Sequence, residues 1–117
     1  MLLVVLTSLA LQNPEHPPVT YGRAITCATA TMAYSTIAIG DEQARMSRAS
    51  AGWSVLIREI WDASTTPNAQ LEADVRASSD EHAQMLNDDP SLLFQLAVGC
   101  YGQVVAIAAA QANSRPE

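Results

Sequence analysis

The chain has 117 residues, of which 49% are hydrophobic and 15% charged, enough for one compact domain and too few for two. Twelve acidic residues face six basic ones, all Arg, and the net charge of −6 repels phosphate backbones and anionic lipid, which excludes nucleic acid as a natural partner. A charged fraction this low, with an average apolar fraction, excludes intrinsic disorder.

Residues 2–11, LLVVLTSLAL, form an apolar run too short to span a bilayer, and the proline-rich stretch Pro14-Glu15-His16-Pro17-Pro18 follows. That outline predicts a signal peptide over residues 1–12 and a linker over 13–19. Small residues Ser8 and Ala10 suit cleavage after Ala10, and Ala10 with Gln12 offers a second register. Met1 runs directly into leucine, so the positive charge ahead of the run is the terminal amine alone. The expected compartment is periplasmic or extracellular.

Residues 20–112 read as a four-helix domain, followed by a short tail over 113–117. Tyr21, Ile25, Ala28, Met32, Ser35 and Ile39 recur at helical spacing, and Gly40 stands where a helix ends in the left-handed conformation. Asp41 is placed to cap a second helix with an apolar stripe of Met46, Ala49, Trp53, Leu56, Ile57, Ile60 and Trp61. Thr66-Pro67 supplies a cap and a first-turn proline for a third helix, to about residue 87. Its face of Leu71, Val75, Ser78, His82 and Met85 or Leu86 is thin. Asp89-Pro90 repeats the signal, and residues 91–112 make the fourth helix.

The charges are unevenly shared. Residues 24–39 and 92–110 carry none, and a helix apolar on all sides is buried in protein or in lipid. The expected architecture is an all-α, antiparallel four-helix bundle with helices 1 and 4 central and helices 2 and 3 covering them. Ala28, Gly99, Gly102 and Ala106 then mark close helix approach. The 19 uncharged residues of helix 4 just reach the length of a membrane span. Gln95, Gln103, two glycines and a run of alanines weaken that reading, so membrane insertion is disfavoured.

Cys27 and Cys100 fall on the two uncharged helices. In an up-down-up-down bundle their levels differ by about 6 Å, within the uncertainty of helix ends, so a disulfide is expected. An exported protein with two cysteines is its usual setting.

No phosphate loop, dinucleotide fingerprint, zinc-protease motif or haem attachment occurs. No catalytic residue, metal ligand or cofactor is assigned. With no Lys, Schiff-base chemistry is excluded. His16 reads as a solvated residue of the proline-rich start. His82, four residues from Ser78 and eight from Asp74, is the one candidate base, with Asp74 or Glu81 as its orienting carboxylate. Asp88 and Asp89 read as capping residues, Trp53 and Trp61 as core, and Arg58 and Glu59 as a solvated face. The favoured function is binding, to a partner protein, to itself or to an apolar ligand between helices. The alternatives are a hydrolase-type enzyme using His82 and a membrane-inserted protein.

Overall fold

The computed structural model describes residues 19–114. Among them the chain forms four helices and no strand: α1, Tyr21–Ser35; α2, Gly40–Ile60; α3, Asn68–Asp88; and α4, Pro90–Ser114. The apolar run of residues 2–11 and its cleavage registers lie outside the described residues.

Helix α1 starts where Thr20 caps it, its hydroxyl accepting from the Arg23 backbone N–H at 3.1 Å. The helix is rich in Thr and Ser, yet it is buried over most of its circumference. Backbone acceptors make this affordable in free energy: the Thr29 hydroxyl donates to the Ile25 carbonyl at 2.9 Å and the Thr31 hydroxyl to the Cys27 carbonyl at 2.7 Å. No buried side-chain nitrogen or oxygen lacks a partner among the described residues.

The expected end of helix 1 at residue 39 is corrected. The helix stops at Ser35, where the hydroxyls of Ser35 and Thr36 turn back onto the carbonyls of Met32 and Ala33. These bonds compete with helix continuation. Ile39 is left 83% exposed. Gly40 does adopt the left-handed conformation, with φ +62°, but as the first residue of α2, and Asp41 lies in the first turn of α2 instead of capping it. Likewise Pro67 occupies the cap position of α3, with Asn68 beginning the helix.

Helix α2 buries Met46, Ala49, Ser50, Trp53 and Ile57. Ser50 donates to the Ala28 carbonyl of α1 at 2.9 Å, and the fully buried Trp53 indole N–H donates to the Cys100 carbonyl of α4 at 3.0 Å. Trp61, expected in the core, is half-buried at the end of α2. Its indole N–H reaches the Thr66 carbonyl at 2.7 Å and closes the loop to α3. In that loop the Asp62 carboxylate accepts from the Ser64 hydroxyl and backbone N–H, which holds its pKa below the usual range.

Helices α1 and α4 each contact all three of the other helices, whereas the backbones of α2 and α3 stay more than 8 Å apart. Cys27 and Cys100 form a disulfide with a Cα–Cα distance of 5.3 Å. Both are completely buried, in one cluster with Ala24, Ile25, Trp53, Ile57 and Ile107.

Candidate functional site

Two features stand out above this core: a row of polar contacts between α1 and α3, and an apolar surface that α4 leaves uncovered.

The polar row begins at Tyr21, whose hydroxyl donates to Asp74 Oδ2 at 2.7 Å. Burial and the adjacent carboxylate push the Tyr21 pKa up to about 12, so it stays a neutral donor. One turn before it on α3, Gln70 donates to Asp74 Oδ1 at 2.7 Å. Further along, Thr29 Oγ1 lies 2.7 Å from Ser78 Oγ and 2.9 Å from His82 Nδ1. The Thr29 hydroxyl also lies 2.9 Å from the Ile25 carbonyl of its own helix, so it joins the backbone of α1 to both side chains of α3. His82 is 2% exposed and is the one buried residue of α3. Burial pulls its pKa below the ordinary histidine value, against the opposing influence of Glu81 and a backbone hydrogen bond at Ser78.

This placement separates the residues that sequence spacing grouped. Asp74 lies eight residues from His82, about 12 Å along the helix, and its oxygens are occupied by Tyr21 and Gln70. Glu81 is exposed and acts on the imidazole only through its charge. Instead of an orienting carboxylate, His82 meets Thr29 of α1, a partner 53 residues away that no local pattern announces. The hydroxyl and imidazole form a closed, buried hydrogen-bond set, and such a set fixes α3 against α1. Among the described residues, no group of three or more His, Cys, Asp or Glu is arranged to hold a metal.

The second feature corrects the expectation that helix 4 is buried on all sides. Among the described residues of α4, Leu93, Ala97, Cys100 and Ile107 are buried, and 22% of its most apolar 18-residue stretch is buried. Leu92, Phe94, Val98 and Val105 are exposed, Val105 by 47%. Gly99 and Gly102, expected at close helix contacts, have nothing within 4 Å of where a Cβ would stand, and Ala106 is exposed as well. The closest glycine contact lies elsewhere, at Gly52 of α2, where a Cβ would meet Val104 Cγ2 at 3.1 Å.

That contact forms a ridge between two shallow hollows along the α2–α4 seam, of about 220 and 230 Å³. Val55, Leu56 and Glu59 line one with Ile107 and Ala108; Arg48 and Ala49 line the other with Tyr101 and Val105. Glu59 therefore edges a cleft, while Arg58 and Trp61 do not line these hollows. A third hollow, of about 200 Å³, opens where α2 and α3 stand apart over α1, and is lined by Met32, Ser54, Ile57, Val75 and Ser79 among others.

Comparison with protein families, with curated proteins and with solved structures finds no match to this chain.

Proposed function

We propose that the chain is an exported helical protein, periplasmic or secreted, that acts by binding another protein surface and does so through the outward half of α4. The supporting frame in this reading is an antiparallel bundle with α1 and α4 as its central pair. Contacts from Ser50 to Ala28 and Gln43 to Ser35 run α2 against α1. Arg23 with Gln103, and Cys27 with Cys100, do the same for α4. Tyr21 with Asp74 and Thr29 with His82 set α3 alongside α1 in the same sense. Export is supported by the disulfide, which persists in oxidising compartments, and by the apolar run near the start of the chain.

One observation carries the binding reading: a 25-residue helix without a charge is anchored by a disulfide yet leaves Leu92, Phe94, Val98 and Val105 each 40–48% exposed. Monomeric proteins rarely display a large contiguous apolar patch, and where one occurs it is commonly a contact surface. By length and composition α4 is also apolar enough to cross a membrane. Entering lipid would strip it of the disulfide-linked contact with α1 and of the Trp53 hydrogen bond, and these ties favour helix-on-helix association at the protein surface.

A photo-reactive phenylalanine analogue at Val105, introduced in the native host, tests the reading. The expected result is a covalent adduct with a protein, lost when the same group is placed at Asp80, an exposed residue of α3 that lines none of the hollows described. Absence of any protein adduct at Val105 overturns the reading.

A further inference from the structure

We infer that the occupant of this face is a second copy of the chain, docked about a two-fold axis through the α2–α4 seam; the inference rests on the binding surface proposed above. Arg48 and Glu59 are eleven residues apart on α2, three helical turns, and so lie on one face about 16 Å apart. They edge opposite ends of the seam, with the ridge of Gly52 and Val104 between them. Neither side chain has an ion-pair or hydrogen-bond partner among the described residues. A two-fold axis near the ridge superposes these ends: Arg48 of each copy meets Glu59 of the other, and both pairs form at once. Isologous pairing of this kind needs a surface complementary to itself under rotation.

The remaining charge agrees with that occupant. Each copy carries −6, so two copies repel over most of their surface. Helix α4 contributes no charge at all, which makes the seam the face where approach costs least. Val55 and Val105 stand beside the axis, level with the hollows that flank the ridge.

Sedimentation equilibrium on the full oxidised chain, as recovered from its host, tests the pairing over about 1 to 200 µM. Wild type is expected to dimerise. Arg48→Glu and Glu59→Arg each place like charges opposite one another at both ends and are expected to weaken the dimer roughly tenfold or more. The double exchange Arg48→Glu/Glu59→Arg restores it, and circular dichroism shows all three variants folded. A monomeric wild type, or a dimer that the single reversals leave unchanged or the double exchange fails to restore, overturns the inference. If wild type is monomeric while Val105 still forms an adduct with a different protein, the second copy is excluded and the binding surface stands. If no adduct forms either, both fall.

Discussion

Removing the disulfide tests how far the bundle depends on joining its first and last helices. Cys27 and Cys100 are 73 residues apart in sequence, and the loop-closure relation for that separation gives about 4.4 kcal/mol at 25 °C. A domain of this size is stable by roughly 5 to 15 kcal/mol, so the link contributes a large share of the margin. Alanine is the right replacement for both residues, because both sites are fully buried and a serine hydroxyl there would add a desolvation cost. Urea unfolding followed by far-ultraviolet circular dichroism is expected to lower the midpoint of Cys27→Ala/Cys100→Ala by about 3 to 4 M, taking a slope near 1.2 kcal/mol per molar. In the native protein the buried sulfurs should resist reduction until the bundle opens. A midpoint change below about 1 M would refute the reasoning, since it would mean that α4 stays docked without the link and that the unfolded chain gains little freedom when it is cut.

The glycines of α4 yield a paired prediction. Gly99→Ala and Gly102→Ala each meet open space and are expected to raise stability by about 0.5 to 1 kcal/mol in thermal unfolding, whereas Gly52→Ala, whose Cβ would press on Val104, should gain less or lose. His82, buried and neutral, should make stability pH-dependent. Its folded pKa lies below its unfolded value, so its contribution is complete above about pH 6.5 and falls away as acid charges the unfolded state first. Melting temperature is expected to drop between pH 7.5 and 5.5, and His82→Gln should flatten that drop; an unchanged slope would rule out the assignment. Tyr21→Phe removes one donor from Asp74, which keeps Gln70, and is expected to cost about 0.5 to 1.5 kcal/mol in urea unfolding.

Much of the frame was legible because local chemistry decides it. The stripe of Met46, Ala49, Trp53 and Ile57 identified the buried side of α2, and the two uncharged helices pointed to the pairing of Cys27 with Cys100. The thin face of α3 was legible too, since His82 alone is buried there. Sequence periodicity failed at α4 for a definite reason: Leu93, Ala97 and Ile107 on its covered side are hardly more apolar than Val98, Val105 and the small residues opposite, so no pattern marks which side faces inward. For the same reason Gly99 and Gly102 look like packing residues and are open instead. The hydroxyls of Ser35 and Thr36 ended α1 early by bonding to their own helix, a competition that apolar spacing does not register. The partner of His82 lies on another helix, which explains why spacing along α3 suggested Asp74 and not Thr29.

In the function proposed above, α4 is tied to α1 from behind by the disulfide and engaged by a protein surface from in front. Carbene footprinting measures this most directly, on the exported fraction of the native host and on the purified oxidised chain diluted to dissociate any complex. Labelling of Val98 and Val105 is expected to fall sharply in the host fraction relative to the dilute chain, while the outer residues of α3 label equally in both. Equal labelling of α4 in the two samples would contradict it.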